Sequence, residues 1–177
     1  MTTANGTERL EIRVMQQEDA EPARLLHNND EMLMWLTDTT HVSQAQQADW
    51  YQSISKSQKS RRYALRRRSD NAFVGLFRVD AIDPVNRNCL VGCDVMPEMR
   101  KQGYATESFR YMLGYLFGFM GIHRVGLVTR ADNQAGLALY AKLGFRREGV
   151  QRQAIFRCGV YVDLVAMGML REEFSGS

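Results

Sequence analysis

The chain of 177 residues has little cysteine, little proline and no long apolar run. Its cysteines, Cys89, Cys93 and Cys158, are three in number, and an odd count argues against a closed disulfide framework. No apolar stretch reaches the ~18 residues that a membrane-spanning helix needs, and the first residues lack the apolar region of a signal peptide. We therefore expect a cytoplasmic protein that has no membrane partner and keeps its thiols reduced.

Positive charge is only slightly in excess. The 23 lysines and arginines against 20 acidic residues leave a net charge of +3, which is too small to indicate nucleic-acid binding by itself. Cys89 and Cys93 on one strand would lie roughly 13 Å apart, too far to share a zinc ion. The histidines, His27, His41 and His123, show no ligand spacing with the cysteines, so we expect no metal site.

The length and the hydrophobic pattern predict one domain of mixed strands and helices. A chain of 177 residues can bury one sizeable core but is too short for two ordinary domains. We expect a single domain over residues 1–177, with its core at about 9–171. Strands are predicted at 9–15, 61–68, 72–82, 88–96, 124–130, 145–157 and 160–170. Helices are predicted at 18–28, 30–36, 44–54, 104–120 and 133–144.

The order of these segments indicates the fold class. A strand–helix–strand unit lies in the middle of the chain, and its two strands, 89–96 and 124–129, should pair in parallel through a right-handed crossover. The remaining strands follow one another through short turns and should pair antiparallel. The prediction is an α+β fold with a mixed, mostly antiparallel central sheet.

The stretch Val95–Ser108, VMPEMRKQGYATES, joins a strand to a helix and carries candidate binding chemistry. The first backbone N–H groups of a helix lack partners, and the helix dipole adds positive charge there. Gly103 and Ala105 leave room for close approach, while Arg100 and Lys101 add charge. The stretch therefore predicts an anion site. Neither a Gly-Lys-Ser/Thr P-loop nor an early G-x-G-x-x-G is present.

Two spaced motifs resemble the GNAT superfamily of N-acetyltransferases. Arg100-x-x-Gly103-x-Ala105 matches its Q/R-x-x-G-x-G/A acetyl-CoA motif. The second motif, Asn-x-x-(Ala/Ser/Gly)-x-x-x-Tyr-x-(Lys/Arg)-x-Gly-Phe, is matched by Asn133, Gly136, Tyr140, Lys142, Gly144 and Phe145. The element Gly159-x-Tyr161-x-Asp163 is similar to the branch of ribosomal-protein N-terminal and spermidine acetyltransferases. The resemblance covers most of the chain.

The resemblance implies how acetyl-CoA, the expected co-substrate, would be held. The central sheet should have helices on both faces and a V-shaped splay between its two parallel strands, into which the pantetheine arm fits. Backbone amides from Arg100 to Ala105 should hold the pyrophosphate, Asn133 should contact the pantetheine arm, and the N–H of Val95 should face the thioester oxygen. The full set of expected cofactor-binding residues is Val95, Arg100, Lys101, Gln102, Gly103, Tyr104, Ala105, Thr106, Asn133, Gly136 and Lys142.

The implied chemistry is direct transfer of the acetyl group to a primary amine. A phenol can donate a proton to a departing thiolate, and Tyr140 is the candidate general acid. Asp94 is the candidate general base, since it lies beside the expected oxyanion donor, although Glu98, Asp163 or a water chain remain alternatives. An acyl intermediate on Cys93 is not expected, because the sequence offers no Cys-His pair.

The acceptor side is less determined. The resemblance places acceptor groups in the first two helices and the last hairpin, where acidic residues could bind a polyamine or could be solvated helix faces: Asp30, Glu31, Asp38 and Asp49. Trp35 could line a pocket for a peptide or a sugar and is the candidate substrate-binding residue. The acceptor thus stays open among a protein N-terminus, a polyamine and an amino sugar, and a homodimer is possible by resemblance.

Two other functions are compatible with parts of the sequence. A non-catalytic acyl-CoA-binding module would share the cofactor motif without turnover. A nucleic-acid-binding regulator could use the arginines crowded into 61–68. On a strand, however, those arginines alternate between faces, and Tyr63 is the sole aromatic residue among them. We therefore expect a solvated hairpin end there and no nucleic-acid partner.

Overall fold

The computed structural model describes residues 6–175 and contains one seven-stranded sheet. The strands follow the predicted segments closely: β1 Leu10–Val14, β2 Arg61–Arg67, β3 Phe73–Asp83, β4 Asn88–Val95, β5 Arg124–Arg130, β6 Arg146–Arg157 and β7 Val160–Leu170. Their order across the sheet is β1-β2-β3-β4-β5-β7-β6. β4, which reads as an almost continuous apolar run, is the middle strand of the seven.

All neighbouring strands pair antiparallel except β4 and β5, which are parallel. A parallel pair needs a long crossover connection, and the helix between these two strands supplies it. The mixed, mostly antiparallel sheet of an α+β fold is therefore confirmed, including the single parallel pair in its centre.

Five α-helices accompany the sheet: α1 Ala20–His27, α2 Asp30–Leu33, α3 Gln44–Lys56, α4 Tyr104–Gly118 and α5 Gln134–Leu143. Their ends carry the expected caps. The Ser43 side chain accepts a hydrogen bond from the Gln46 N–H and the Asn133 side chain accepts one from the Gly136 N–H. Gly144 ends α5 with a φ of 100°, which is favourable for glycine.

The helices pack on both faces of the sheet, as successive strand residues show. Phe77 belongs to the large core beneath α4, whereas its neighbour Leu76 packs with Ala20 and Ala23 of the α1 side. Successive side chains of a strand point to opposite faces, so α4 and α1 lie on opposite sides of β3. Phe109 of α4 meets Phe77 edge to face, with ring centroids 5.0 Å apart.

Helices α2 and α4 end earlier than predicted. The expected helix at 30–36 ends at Leu33, because Trp35 and Leu36 both donate backbone hydrogen bonds to the Met32 carbonyl and close the turn. The expected helix at 104–120 ends at Gly118, since the N–H groups of Phe119 and Met120 both bond to the Tyr115 carbonyl. Such tightened last turns depend on local backbone geometry that apolar spacing does not reveal.

The arginine-rich strand β2 contributes to the fold through its own side chains. The buried carboxylate of Asp19 accepts hydrogen bonds from Arg66 and from Arg13 of β1, with nitrogen–oxygen distances of 2.7 and 2.8 Å. Arg62 pairs with Asp80, and Arg67 pairs with Asp70. These contacts join β1, β2 and the start of α1, which gives the cluster a structural role.

Candidate active site

The parallel pair β4–β5 opens along its length. Pairing is limited to Asn88 with Arg124, Cys89 with Val125 and Leu90 with Gly126. Beyond Leu90, β4 remains paired with β3 on one side, while β5 remains paired with β7 on the other. The residues from Val91 to Val95 therefore present backbone groups to an opening in the middle of the sheet.

The N–H of Val95 points into this opening. Met96 donates its N–H to the Val74 carbonyl across the β3–β4 ladder at 2.9 Å. N–H groups of successive residues in an antiparallel pair point to alternate sides. The Val95 N–H, one residue earlier and opposite Gly75, must then point away from β3. This direction suits the predicted oxyanion donor.

A loop with strained backbone follows β4 and leads into α4. Lys101 has a φ of 60° and Gly103 a φ of 85°, and the left-handed conformation costs a residue such as lysine free energy. The six backbone N–H groups of residues 101–106 have no hydrogen-bond acceptor within residues 6–175. Free amides at the start of a 15-residue helix form an anion site.

Arg9, just before β1, holds this loop in place through hydrogen bonds. Its Nη1 donates to the Gln102 carbonyl at 3.0 Å and its Nε to Glu107 in the first turn of α4 at 2.7 Å. The guanidinium also lies 4.9 Å from the ring centre of Tyr104. The Tyr104 side chain is buried, so this residue offers only its backbone to a ligand. Sequence reasoning had no signal for this role of Arg9.

The Arg100 side chain joins the loop to helix α2. Its Nε donates to the Val95 carbonyl at 3.3 Å, and its Nη1 forms an ion pair with Glu31 of α2. Its Nη2 contacts the sulfur of Met32, which lines the acceptor cavity described below. The guanidinium expected to attract an anion is thus held by a carboxylate. Lys101 and Lys142 are both exposed, and the former borders the free amides.

Helix α5 places Asn133, Gly136 and Tyr140 beside the opening. The Asn133 amide is already used within the chain, since its Oδ1 accepts from Gly136 and its Nδ2 donates to the Thr129 hydroxyl. A Cβ at Gly136 would lie 2.5 Å from that Nδ2. The absence of a side chain at Gly136 therefore makes room for the Asn133 amide. The predicted pantetheine contact of Asn133 stays a prediction.

The Tyr140 ring is packed between aromatic residues. Its centroid lies 5.5 Å from that of Phe109 and 6.1 Å from that of Phe145. Burial raises the pKa of the Tyr140 hydroxyl, the nearby Cys93 and Asp94 raise it further, and Arg78 opposes the rise. These influences come from β3 and β4, so the tyrosine lies within electrostatic range of the opening.

Burial also raises the pKa of the Cys93 thiol, and Asp94 adds to the effect. The nucleophilic form of cysteine is the thiolate, which is disfavoured here at neutral pH. The described residues place no histidine against this thiol, which is consistent with direct transfer.

Asp94, the predicted general base, forms an ion pair with Arg78 of β3. The Arg78 Nε lies 2.9 Å from the Asp94 Oδ2, and the charge of Asp94 raises the pKa of Arg78. Gly92 allows this arrangement, because a Cβ there would lie 2.5 Å from the Arg78 Nη2. Both charged residues line a cavity beside the opening. The role of Asp94 as a base stays a prediction.

The alternative bases lie elsewhere. Glu98 is exposed on the loop after β4. The Asp163 carboxylate accepts a hydrogen bond from the backbone N–H of Gln153 at 2.8 Å, where β6 bulges away from β7. This hydrogen bond gives Asp163 a structural role in the β6–β7 hairpin.

The cavity has a volume of about 450 Å³ and lies between the sheet and helices α1 to α3. Its apolar wall includes Leu26, Leu36, Trp50 and Leu76. Trp35, the predicted substrate-binding residue, does not line this cavity but lies over the Arg130 guanidinium at 5.2 Å from its ring centre. Contact of Trp35 with a substrate stays a prediction. Within residues 6–175, no cluster of three or more histidines, cysteines or acidic residues is arranged to hold a metal ion, and no helix is long and apolar enough to cross a membrane.

Sequence reasoning missed Arg78 as part of the site and considered Glu31 only as an acidic residue of the acceptor region. A signal for Arg78 existed, since this cation interrupts an otherwise apolar strand segment between Leu76 and Val79. Its partner, however, depends on the register between β3 and β4. The pairing of Glu31 with Arg100 depends on how α2 docks, for which the sequence carries no marker.

An opened parallel pair, a loop of free amides at its end and a tyrosine at its side define a class of acyl-transferring enzymes. A family model, the acetyltransferase (GNAT) domain, matches residues 9–146. The chain therefore belongs to the GNAT family and is an N-acetyltransferase of that type.

Known relatives cover nearly the whole chain. The N-acetyltransferase YoaA of Bacillus subtilis, itself uncharacterized, is 28% identical over 160 residues, which is 89% of this chain and 90% of YoaA. YdaF of the same organism, whose assignment as a ribosomal N-acetyltransferase is provisional, is 27% identical over 99% of both chains. A spermidine N-acetyltransferase of Vibrio cholerae, crystallised with CoA and spermine, superimposes with a TM-score of 0.89 at 22% identity and covers 93% of this chain and 97% of that one. At that identity, the superposition shows the shared fold.

Proposed function

We propose that this protein transfers an acetyl group from acetyl-CoA directly to a primary amine. The observation that carries the proposal is the opening between β4 and β5, which ends at six free backbone N–H groups and has Tyr140 at its side. A narrow opening lined by backbone groups suits an extended, amide-containing chain. The free amides at its end suit a pyrophosphate.

The chain's own residues fit the co-substrate. Backbone N–H groups of residues 101–106 would bind the pyrophosphate, with Lys101 and the dipole of α4 adding positive charge. Unpaired backbone groups of Val91 to Val95 would hydrogen-bond the pantetheine arm in place of a neighbouring strand. Bound acetyl-CoA supplies a thioester carbon that an amine can attack.

Two groups of the protein would act on the reacting atoms. The Val95 N–H would stabilise the negative charge that develops on the carbonyl oxygen. The Tyr140 hydroxyl would donate a proton to the departing sulfur. Because the pKa of Tyr140 is raised, the hydroxyl is fully protonated at neutral pH. Donation to a thiolate is then uphill, so the benefit of Tyr140 must come from its position.

The relatives differ in the amine that their names imply. The Vibrio cholerae enzyme was crystallised with a polyamine, whereas YdaF is named for ribosomal protein. The acceptor of this chain would enter from the cavity between the sheet and α1 to α3, because Asp94, the chain neighbour of Val95, lines that cavity. An amine placed there reaches the opening from the side opposite α4.

A single assay tests the proposal. Purified protein is mixed with acetyl-CoA and a panel of primary amines that includes peptides, amino acids, polyamines and amino sugars, and released CoA thiol is measured. We expect thiol release that depends on both substrates. Tight acetyl-CoA binding by calorimetry without any thiol release would instead favour the non-catalytic acyl-CoA-binding module. The homodimer and the cytoplasmic location remain predictions from the sequence.

A further inference from the structure

The cavity beside the opening has no surplus of negative charge. Two carboxylates, Asp38 and Asp94, line it, and so do two guanidinium groups, Arg62 and Arg78. Asp94 is paired with Arg78 at 2.9 Å. The Asp38 carboxylate accepts the Thr40 N–H at 2.9 Å. A polyamine would bring several positive charges into a space that already holds as many guanidinium groups as carboxylates.

Other acidic residues near this region are also paired. Glu31 forms its ion pair with Arg100, and Asp80 pairs with Arg62 at 2.7 Å. Glu21 on α1 pairs with Arg24 at 2.7 Å. Of the acidic residues that suggested a polyamine site in the sequence, Glu31 is paired with an arginine, and only Asp38 lines the cavity.

Arg78 has unused hydrogen-bond donors where it lines the cavity. Its Nε is buried and makes no hydrogen bond, because its N–H does not point at the nearby Asp94 oxygen. Neither of its terminal nitrogens, Nη1 and Nη2, has a hydrogen-bond acceptor within residues 6–175. Arg62 differs, since its Nη1 donates to both Asp80 and the Arg61 carbonyl. A guanidinium with free donors in a cavity is suited to bind oxygen atoms of a ligand.

The position of Arg78 limits where that oxygen can be. Arg78 contacts Asp94, and Asp94 is the neighbour of Val95, whose N–H faces the reacting carbonyl in the proposed function. Arg78 lies opposite Gly92 and reaches Asp94 with its side chain, so a group bound by Arg78 would lie beside Asp94 at the edge of the opening. The rest of the cavity wall is largely apolar and suits an aliphatic or aromatic substituent.

We propose that Arg78 determines acceptor specificity by binding a carbonyl or carboxylate oxygen on the carbon next to the reactive amine. The acceptor class is then an α-amino acid or the N-terminal residue of a peptide, with an apolar side chain in the cavity. This inference rests on the proposed acetyltransferase function. Polyamines lack the oxygen and carry charge that the cavity does not compensate.

Matched amines test the proposal through CoA thiol release. L-leucine and 3-methylbutylamine differ only by the carboxylate, L-leucylglycine offers a peptide carbonyl, and spermidine represents the polyamines. We expect kcat/KM for L-leucine or L-leucylglycine to exceed that for 3-methylbutylamine by about tenfold or more, as lost charge-assisted hydrogen bonds imply. A preference for L-leucine identifies the carboxylate as the group that Arg78 binds, and a preference for L-leucylglycine identifies the peptide carbonyl.

Arg78→Gln should remove this preference and should improve spermidine, because Asp94 loses its compensating cation. Arg78→Lys keeps the charge but loses the planar fork, and it should retain only part of the preference. Arg110→Gln, on the exposed surface of α4, is the matched control. Calorimetry with L-leucine and the CoA complex gives a second readout, in which Arg78→Gln should weaken binding about tenfold.

The outcomes separate the two proposals. Wild-type turnover of spermidine or 3-methylbutylamine at least as efficient as that of the leucine compounds would overturn the role of Arg78 and leave the acetyltransferase function intact. An equal loss for every acceptor in Arg78→Gln would also overturn it and indicate a purely structural role. Failure of every amine to release thiol would overturn the proposed function itself.

Discussion

The cofactor side and the acceptor side of the opening are built from different parts of the polypeptide. On the proposed cofactor side, backbone N–H groups of β4, the following loop and the first turn of α4 would do the binding, and side chains such as Arg9 hold them in place. On the acceptor side, side chains from β3, β4 and three helices surround a cavity in which carboxylates and arginines compensate each other.

This difference has a physical consequence for specificity. A backbone site depends on local conformation and tolerates many side chains, so it can stay the same while sequences diverge. A side-chain site changes its ligand with each substitution. We expect mutations on the cofactor side to affect every acceptor alike, and mutations on the acceptor side to change the ranking of acceptors.

The largest effect should come from Tyr140, which lies between the two sides. Tyr140→Phe removes the proton donor and keeps the ring contacts with Phe109 and Phe145. We expect kcat to fall about a hundredfold or more, as is usual for a general acid, with acetyl-CoA affinity unchanged by calorimetry. Tyr111→Phe on α4 is the control. An unaltered kcat would remove Tyr140 from the mechanism.

The raised pKa of Tyr140 makes a second prediction for the same residue. A hydroxyl whose folded-state pKa lies above its ordinary value of about 10 remains protonated as the pH rises to that value. The wild-type rate should therefore show no loss from this group between pH 7 and pH 10. A decline in that range that disappears in Tyr140→Phe would contradict the structural account of its environment.

Gly103→Val tests the cofactor side. Gly103 has a φ of 85° at the start of α4, and a branched side chain there would be strained and would lie beside the free amides. We expect acetyl-CoA affinity, measured by calorimetry, to fall about tenfold or more, together with a loss of roughly 1–2 kcal/mol in stability.

A matched control separates strain from lost binding. Gly121 also has a positive φ, of 65°, and a Cβ there would meet nothing within 4 Å. Gly121→Val should show a similar loss of stability by thermal denaturation but unchanged acetyl-CoA affinity. Equal losses of affinity in both variants would argue against the anion site.

Glu31→Gln tests the link between the two sides, and a smaller effect is expected. The Arg100 guanidinium is shared between the Val95 carbonyl and the Glu31 carboxylate. Without that carboxylate, Arg100 becomes free to attract the phosphates of CoA. We expect acetyl-CoA to bind about two- to fivefold more tightly at low salt, within the range of exposed ion pairs, and the gain to shrink at high salt.

Glu21→Gln supplies the comparison for this link, since Glu21 is paired with Arg24 on α1 and contacts no residue of the loop. It should leave CoA affinity unchanged. Weaker CoA binding in Glu31→Gln would mean that the ion pair positions Arg100 for the cofactor instead of competing with it.

The smallest effect should appear at Asp70, in the turn after β2. Arg67 and then the Ala72 N–H lower the pKa of Asp70 to about 2. The stabilisation is present above the unfolded value near 3.8 and is lost as the pH falls toward 2. Asp70→Asn should slightly reduce the fall in melting temperature between pH 4 and pH 2. An identical pH dependence would show that the exposed pair contributes nothing measurable.

The backbone conformations on the cofactor side were predictable from the sequence because their signals are local. Three residues each mark a backbone conformation that is set within a few positions along the chain: the glycine before α4, the asparagine before α5 and the glycine after α5. Apolar spacing located the strands around them. The strand bounds of β5 and β7 agree with prediction to the residue. Local signals of this kind can be recognised without any knowledge of tertiary contacts.

The side-chain contacts of the acceptor side could not be predicted in the same way. The Arg78–Asp94 pair forms across two strands, and the Glu31–Arg100 pair joins residues far apart in the chain. Trp35 was expected in a pocket, yet the closing of α2 at Leu33 places its ring over Arg130. These contacts follow from register and helix docking, which are long-range properties of the fold.

The bulge in β6 bears on how such an enzyme can diverge. Gln151 pairs with Leu164 and Ile155 with Val162, so the three residues 152–154 lie opposite Asp163 alone. Beyond the bulge, Arg157 donates a hydrogen bond to the carbonyl of Thr37, next to the cavity. An insertion or deletion at 152–154 would thus reshape that wall and leave the register of β5 with β7 unchanged. Changes in this hairpin would then alter the cavity wall while the backbone groups of β4 and of the following loop keep their arrangement.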